Sequence, residues 1–294
     1  MGHRRRYIIG STYIFLALLL LTACNASPAV PESKEVIVLM YHDVRDEPVY
    51  GNSAIISTEA FRTQMEALQE AGFTVVTFDD LIAFVDHGIA LPPNPIVITF
   101  DDGYRSNLEL AAPILEELGK TAIISVIGIS RGRDTYRHTD IPIIPHFTWD
   151  EVRPWVERGV IQIGHHSYDM HRWHRDVDEQ WRYGVLPMED ESPEEHREAL
   201  IADFEQLRQI IQAELGTEVL VFAYPYGHYC EQSGAILQDL GVRVTLGTHP
   251  GINIIEQGKA ESLFLLNRIN MTDDLDMDTL LELLESFRQE IEAD

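Results

Sequence analysis

Two adjacent carboxylates follow an apolar segment that predicts a buried β-strand. The segment is residues 96–100, and Asp101, Asp102 and Gly103 come directly after it. Burying an unpaired carboxylate is costly, so two of them at a strand end indicate a cation, a basic partner or water at that end. Neighbouring side chains of a strand point in opposite directions, so we expect the two acids to have different roles. The alternative is that Asp102 caps a helix that begins near Tyr104.

Histidines cluster after a second apolar segment. Residues 160–164 are followed by His165 and His166, and His171 comes five residues after His166. Imidazole is a common metal ligand, and two histidines with one carboxylate form a known catalytic zinc set. A step of five residues does not place two side chains on one face of a helix, so His166 and His171 are expected to converge from a loop. Asp169 could orient one of the rings.

Both segments resemble motifs of the polysaccharide deacetylase family, carbohydrate esterase family 4, which includes the nodulation-factor chitooligosaccharide deacetylases. Residues 99–103 (Thr-Phe-Asp-Asp-Gly) resemble its first motif, which implies that Asp101 is the catalytic base and that Asp102 binds the metal. The histidine segment resembles the second motif, which implies that His166 and His171 are the other two metal ligands. The five-residue step between them is similar to that of the branch that deacetylates poly-β-1,6-N-acetylglucosamine.

A third segment, residues 222–227, resembles the family motif that has Pro-Tyr at its core. The resemblance implies that the backbone N–H of Tyr226 stabilises an oxyanion and that Tyr224, Pro225 and Tyr226 bind substrate. The arginine that often precedes this core is absent here. The sequence therefore does not identify the residue that orients Asp101.

The general acid is expected to be a histidine that follows the N-terminal strand. Most of the family has this histidine late in the domain, but residues 265–269 contain none. The exopolysaccharide branch resembles this chain more closely, with an early Tyr-His motif that His42 matches. His249 is the competing candidate for the acid. The alternative for His42 is a structural histidine bonded to Asp43 or to a neighbouring loop.

The resemblance implies a metal-dependent hydrolase that removes N-acetyl groups from an N-acetylglucosamine polymer. We expect one divalent metal ion, with zinc favoured and cobalt, nickel and iron as alternatives. The favoured substrate is β-1,6-linked exopolysaccharide. The alternatives are a peptidoglycan or chitin deacetylase, a xylan O-acetyl esterase and, in a different class, a non-catalytic carbohydrate-binding lipoprotein. A metal-storage or metal-sensing lipoprotein is a further non-enzymatic alternative.

The N-terminal residues predict an extracytoplasmic lipoprotein. Three arginines at 4–6 precede the apolar residues 7–21, and Cys24 follows Leu-Thr-Ala. Basic, then apolar, then small residues indicate a secretory signal peptide, and the cysteine at this position resembles that of a bacterial lipobox. A lipid on Cys24 would anchor the protein to the bacterial cell membrane. The expected divisions are a lipoprotein signal peptide at 1–23, the lipidated cysteine with a flexible tether at 24–34, and one polysaccharide deacetylase domain at 35–294.

The composition narrows the classes of partner. The chain has 48 acidic and 22 basic residues and a formal net charge of −26, which argues against nucleic acid and anionic membrane surfaces as partners. Lipidation of Cys24 would leave Cys230 as a lone thiol, so no intrachain disulfide is expected. We expect a monomer whose partners are the polysaccharide and, through the lipid anchor only, the membrane.

The periodicity of the chain predicts an α/β fold. Short apolar segments alternate with amphipathic helical segments, which is typical of a parallel sheet covered by helices. The family resemblance implies a distorted, incomplete (β/α) barrel in a single domain, with its site at the C-terminal ends of the strands. Strands are predicted near 35–41, 95–100, 120–126, 159–164, 218–223 and 242–246. Helices are predicted near 58–71, 79–87, 106–119, 148–158, 193–215, 229–240 and 276–292.

Two long loops, at 130–147 and 172–192, are expected to shape the substrate groove. Their aromatic side chains could stack on sugar rings, although packing over the mouth of the barrel is the commoner use of such residues. The aromatic residues concerned are Tyr136, Trp173, Trp181 and Tyr183.

Overall fold

The computed structural model describes residues 2, 31–48, 51–172 and 182–293. The described residues from Pro31 onward belong to one compact unit. Cys24, the expected signal peptide apart from Gly2, and the aromatic residues Trp173 and Trp181 lie outside the described residues. Among the residues that the structure describes, no helix has both the length and the apolar composition needed to cross a membrane.

A nine-stranded sheet, almost entirely parallel, lies at the centre of the described chain. Eleven strands are present in the described ranges: β1 (Ser33–Tyr41), β2 (Asp43–Arg45), β3 (Ile55–Ser57), β4 (Thr74–Val75), β5 (Pro95–Phe100), β6 (Ala122–Val126), β7 (Ile161–His165), β8 (Val221–Ala223), β9 (Val244–Leu246), β10 (Asn253–Glu256) and β11 (Ile269–Asn270). The order across the sheet is β10-β1-β5-β6-β7-β8-β9, β4 pairs with β5, and β2 and β3 form a separate pair. The six predicted strands are all present, and the five that the periodicity missed have two to four residues each.

The sheet curls until its two ends approach each other. In the segment that joins them, Leu266 forms a parallel bridge with Leu246 of β9, and β11 pairs in parallel with β1. Residues 266–270 therefore lie between the last parallel strand and the first. The predicted α/β fold with a distorted barrel is confirmed.

Seven α-helices surround the sheet in the described residues: α1 (Thr58–Glu70), α2 (Phe78–His87), α3 (Ala112–Glu117), α4 (Trp149–Glu157), α5 (Pro193–Leu215), α6 (Glu231–Asp239) and α7 (Met277–Ala293). They match the predicted helices within two residues, except that a π-helical turn at Asn107–Ala111 forms the first part of the predicted helix 106–119. Hydroxyl side chains fix several starts, since Thr77, Thr148 and Ser192 each form a capping box.

The alternation of side chains along each strand separates two apolar clusters. In β5, Ile96, Ile98 and Phe100 belong to the larger cluster, which packs against the surrounding helices, whereas Val97 belongs to the cluster inside the curled sheet. Side chains of a strand alternate between faces, so Thr99 and Asp101 continue the inner row of Val97. The inner cluster is covered at one end by α2. The inner row therefore leads from an apolar interior to the carboxylate of Asp101.

Candidate metal centre and active site

Four parallel strands deliver the predicted site residues to the same edge of the sheet. His42 follows β1, Asp101 and Asp102 follow β5, His166 follows β7, and residues 224–227 follow β8. The registers of β1 with β5, β5 with β6, β6 with β7 and β7 with β8 are all parallel. The C-terminal ends of parallel strands meet at one edge, which is where barrels of this kind carry their sites.

Asp102, His166 and His171 form a group that could hold a divalent metal ion. The Nε2 atoms of His166 and His171 each lie 3.5 Å from Oδ1 of Asp102, and one ligand atom from each of the three residues lies within 4.8 Å of the others. Oδ2 of Asp102 accepts a 2.6 Å hydrogen bond from the Tyr104 hydroxyl, whereas buried Oδ1 has no hydrogen-bond partner in the described residues. A buried carboxylate oxygen that faces two imidazole nitrogens fits a cation.

Residues outside the metal site fix the loop between His166 and His171. Nδ1 of His166 donates to the Ala223 carbonyl at 2.8 Å, which directs its Nε2 towards Asp102. The carboxylate of Asp203, on α5, accepts the backbone N–H groups of Tyr168 and Asp169, both at 2.7 Å. Burial raises the pKa of Asp203 to about 6, although these two N–H groups act in the opposite direction. The sequence analysis did not identify Asp203, because a carboxylate within a long helix is typical of a solvated surface.

Two arginines hold the carboxylate of Asp169. Its carboxylate forms ion pairs with Arg137 at 2.7 Å and with Arg172 at 3.0 Å. Asp169 therefore connects the loop at 130–147 to the loop that carries His171.

Asp102 adopts the left-handed backbone region, with φ of 69°, and Gly103 follows with φ of 82°. One guanidinium nitrogen of Arg131 donates to the carbonyls of both residues, at 2.8 and 2.9 Å. A Cβ atom on residue 103 would lie 2.6 Å from Nη1 of Arg131, so any other residue would require Arg131 to move, in addition to the strain of the positive φ. The helical turn that follows has Ser106 as its N-cap. The alternative interpretation of Asp102 as a helix cap is therefore wrong.

Arg268 holds the carboxylate of Asp101. Its two terminal nitrogens donate to Oδ1 and Oδ2 of Asp101 at 2.8 and 2.7 Å, and both side chains are almost fully buried. Burial acts to raise the pKa of Asp101, but Arg268, with smaller contributions from His166 and His42, holds it well below the usual value. Asp101 is therefore ionised and oriented.

The sequence analysis missed Arg268. It lies within residues 265–269, where most of the family has a histidine, and is 167 residues away from Asp101 in the chain. The available signal was a charged residue within an otherwise apolar stretch, which is uncommon in a barrel interior unless the charge is paired.

His42 and Asp101 follow paired strands, since Tyr41 is opposite Phe100 and the N–H of Asp101 donates to the Tyr41 carbonyl at 2.9 Å. His42 contributes to lowering the pKa of Asp101 and of Asp102, and its buried Nδ1 has no hydrogen-bond partner in the described part of the chain. Asp43 instead accepts hydrogen bonds from Arg45 and from Ser106.

The side chain of His249 is exposed. Its backbone carbonyl accepts the N–H of Arg268 at 2.9 Å. His42, and not His249, therefore contributes to the low pKa of the two carboxylates.

The turn after β8 places one exposed aromatic ring beside the metal ligands. Tyr226 has φ of 59°, and its ring centroid lies 4.3 Å from that of His171. Tyr224 and Pro225 are buried, and burial raises the pKa of Tyr224 to about 12. Of the three residues predicted to bind substrate, only Tyr226 presents its side chain to solvent.

His165 belongs to the core. Its ring stacks on Phe204 and Phe222, and Nε2 lies 3.2 Å from the Phe204 carbonyl. Burial lowers its pKa to about 3, so the ring is neutral at physiological pH.

Comparisons with known proteins agree with this arrangement. Residues 88–245 match the family model described as polysaccharide deacetylase. The chain is 23% identical over 235 residues to YxkH of Bacillus subtilis (strain 168), which covers 80% of this chain and 71% of that protein. It is 22% identical over 265 residues to the poly-beta-1,6-N-acetyl-D-glucosamine N-deacetylase of Escherichia coli (strain K12), which covers 79% of this chain but 38% of that protein.

The fold is shared with solved structures. The de-N-acetylase from Aggregatibacter actinomycetemcomitans superimposes with a TM-score of 0.73 at 22% identity, covering 85% of this chain and 100% of that one. At this level of identity, the structural similarity establishes the distorted α/β barrel but does not identify the substrate.

Proposed function

Because this chain belongs to the polysaccharide deacetylase family, carbohydrate esterase family 4, we propose that it removes N-acetyl groups from an N-acetylglucosamine polymer by metal-dependent hydrolysis. One observation carries the proposal. The metal site of Asp102, His166 and His171 lies next to a buried, ionised Asp101 that takes no part in the metal site. A protein that only stored a metal or bound a sugar would not need this second carboxylate.

Each step of the reaction has a residue to perform it. A divalent cation held by Asp102, His166 and His171 would polarise the acetyl carbonyl and make water more acidic. Asp101 accepts the proton of the attacking water, and Arg268 keeps its carboxylate ionised and oriented. The backbone N–H of Tyr226 donates to the oxygen that becomes negatively charged.

The departing nitrogen must gain a proton before it leaves. His42 supplies this proton as the C–N bond breaks, so the products are acetate and a free amino sugar. The position of His42 after β1, in register with Asp101 after β5, supports this role, as does its contribution to the low pKa of Asp101 and Asp102. The exposure of the His249 side chain argues against the competing candidate.

The metal in this proposal is zinc. Two imidazoles and one carboxylate, with a coordination position left open, are a known catalytic zinc set. Cobalt, nickel and iron accept the same nitrogen and oxygen donors and are tested beside it.

The proposed substrate is β-1,6-linked exopolysaccharide. The five-residue step from His166 to His171 and the early position of His42 support this choice. The 22% identity to the E. coli deacetylase of the β-1,6 polymer also supports it, although the match spans little more than a third of that protein. β-1,4-linked polymers and O-acetylated xylan are the alternatives that the experiment below separates.

The proposed location is the outer side of the bacterial cell membrane, with a monomer anchored through the lipid on Cys24. The basic and apolar residues before Cys24 support this location. Wild-type protein should incorporate labelled fatty acid in cells, and replacing Cys24 with Ala should abolish this labelling. Absence of label in the wild type, or unchanged labelling of the Cys24→Ala variant, would contradict the anchor.

Acetate release from defined oligomers tests the function. The chain from Pro31 onward is stripped of metal and reloaded with zinc, cobalt, nickel or iron. It is then assayed on β-1,6-linked and β-1,4-linked N-acetylglucosamine oligomers and on acetylated xylan. Metal-dependent release from the β-1,6 series supports the full proposal. Release from β-1,4 oligomers or xylan alone would contradict the proposed substrate. Tight oligomer binding without acetate release from any of these substrates would contradict the proposed enzymatic activity.

A further inference from the structure

A cavity of about 370 Å³ opens beside the metal centre. Its lining includes the metal-site residues Asp102 and His171 and several residues between 127 and 146. Many of the latter are aliphatic: Ile127, Ile129, Pro142, Ile143 and Ile144. The volume lies at the lower end of the range of small-ligand sites, which is ~300–1,000 Å³. The cavity therefore suits a ligand about the size of one ring.

Apart from the metal-site residues Asp102 and His171, His146 is the buried polar side chain without a partner in the described lining of this cavity. It is 4% exposed, and neither ring nitrogen has a hydrogen-bond partner within the described ranges. The Ile144 carbonyl lies near the ring without forming a bond of good geometry. A polar group buried without a partner is costly, which indicates that the partner comes from outside the chain.

The backbone of His146 is fixed, so its ring has a defined place. Its N–H donates to the Arg133 carbonyl at 2.9 Å, and it forms a bridge with Tyr104. The two rings lie 4.9 Å apart. His146 is not one of the three residues that can share a metal ion. The metal centre therefore does not account for its unpartnered nitrogens.

The charge state of His146 limits the chemistry of the ligand. Burial, assisted by Arg131, lowers the pKa of His146 to about 3, so the ring is neutral. A neutral imidazole offers one donor and one acceptor, which a hydroxyl group can use. The neighbouring Arg137 is already paired with Asp169. Apart from the Arg137–Asp169 ion pair and the metal-site carboxylate of Asp102, the lining combines aliphatic side chains with a neutral hydrogen-bonding ring, which suits a neutral sugar.

We propose that this cavity, the His146 cavity, is a subsite for one sugar unit next to the unit that carries the reacting acetyl group, and that His146 binds a hydroxyl group of that neighbouring unit. The inference rests on the proposed function, because it takes the metal centre as the place where the acetyl group reacts. His146 is a positioning residue in this proposal and takes no part in proton transfer.

Three variants test the His146 cavity. His146→Phe keeps a ring against Tyr104 but removes both hydrogen-bonding atoms, and His146→Gln keeps a donor and an acceptor. His138→Phe is the matched control, because His138 is an exposed residue of the same loop. Each variant is assayed on an N-acetylglucosamine oligomer and on an aryl acetate, which has no sugar unit to fill the subsite.

For His146→Phe, the ratio of kcat/KM on the oligomer to kcat/KM on the aryl acetate should fall about tenfold, as expected for one lost hydrogen bond. The loss should appear in KM for the oligomer, and His146→Gln should recover part of it. His138→Phe should keep the wild-type ratio. Metal content should stay at the wild-type value in all three variants.

Other outcomes would overturn the proposal. Equal losses on both substrates, or loss of metal from His146→Phe, would show that His146 only supports Tyr104 and Asp102. An unchanged ratio would show that the cavity does not bind the substrate.

Binding is also measured by calorimetry in the Asp101→Asn background, with and without His146→Phe. If the wild type hydrolyses neither substrate, the proposed function fails. In that case, a weaker oligomer affinity in the double variant would still support the His146 cavity, and an equal affinity would still reject it.

Discussion

Arg268 and Asp101 form an ion pair with two hydrogen bonds at the mouth of the barrel, where both side chains are almost fully buried. Arg268 belongs to residues 266–270, which lie between β9 and β1 in the curled sheet. Its Nε also donates to the Gly247 carbonyl at 2.7 Å. Closure of the sheet and orientation of the proposed base therefore depend on the same residue.

Replacing Arg268 with Met should strongly destabilise the protein and abolish turnover. The substitution leaves the Asp101 carboxylate buried without a partner, which costs about 3–5 kcal/mol in comparable buried pairs. The free energy of unfolding in urea, measured on metal-free protein, checks this value. The Arg268→Met/Asp101→Leu double variant should recover much of the stability, because it removes both charges.

The control for this pair is Arg243→Met. Arg243 also makes two hydrogen bonds to one carboxylate, that of Asp86, but both side chains are about a third exposed. Surface pairs of this kind contribute roughly 0–1 kcal/mol. Equal losses of stability in Arg268→Met and Arg243→Met would contradict the importance of the buried pair.

The histidine after β1 should be required for turnover and dispensable for the metal. His42→Asn should reduce kcat by ~10²–10⁴-fold, the usual contribution of a positioned acid, and should bind metal as the wild type does. His249→Asn is the control and should keep wild-type turnover, because that side chain is exposed. A severe loss of turnover in His249→Asn, with near-normal turnover in His42→Asn, would assign the acid role to His249 instead.

Replacing Gly103 with alanine should be far more disruptive than the same replacement at another glycine with a similar backbone conformation. Gly103 has φ of +82° and meets Arg131, whereas Gly159 has φ of +72° and open space around its Cβ position. Gly159→Ala should cost about 1–2 kcal/mol of stability, which is the left-handed penalty alone. Gly103→Ala should cost more and should weaken metal binding, because Asp102 moves with Arg131. Thermal unfolding and metal content measure both effects, and equal behaviour of the two variants would count against the Arg131 contact.

Asp203 should make the stability of the metal-free protein fall as the pH rises. Its folded pKa of about 6 lies above its ordinary value of 3.8, so the folded state holds the proton more tightly. The stabilisation is complete below about pH 4 and is lost as the pH rises through 6, by roughly 3 kcal/mol in total. Asp203→Asn cannot titrate, so the stability of the wild type relative to this variant should decrease from pH 4 to pH 7. A constant difference in urea unfolding across this range would contradict the raised pKa.

The sequence predicts the metal centre because each ligand directly follows, or closely follows, an apolar strand. Parallel strands end at one edge, so Asp102 and His166 must lie near each other once the strands are recognised. Helices with regular amphipathic periodicity were predicted for similarly local reasons. The π-helical turn at Asn107–Ala111 has no such signal and was predicted as ordinary helix.

The supporting residues could not be predicted, because their roles depend on contacts between distant parts of the chain. Arg268 reaches Asp101 only because a two-residue strand, β11, pairs with β1. Asp203 acts on backbone N–H groups 34 and 35 residues earlier in the chain. A charged residue in an apolar stretch marks Arg268 as unusual, but no local pattern identifies the partner of either residue, since both contacts depend on how the sheet curls and where α5 packs against it.

Metal content and acetate release, measured together on four variants, test the central claim most directly. Asp102→Ala, His166→Ala and His171→Ala should each lose both the bound ion, about one per chain in the wild type, and the activity. Asp101→Asn should retain the ion and lose turnover by ~10²–10⁴-fold. Loss of metal from Asp101→Asn with retention in Asp102→Ala would contradict the roles assigned to the two carboxylates, and full activity in any metal-free variant would contradict the metal-dependent mechanism.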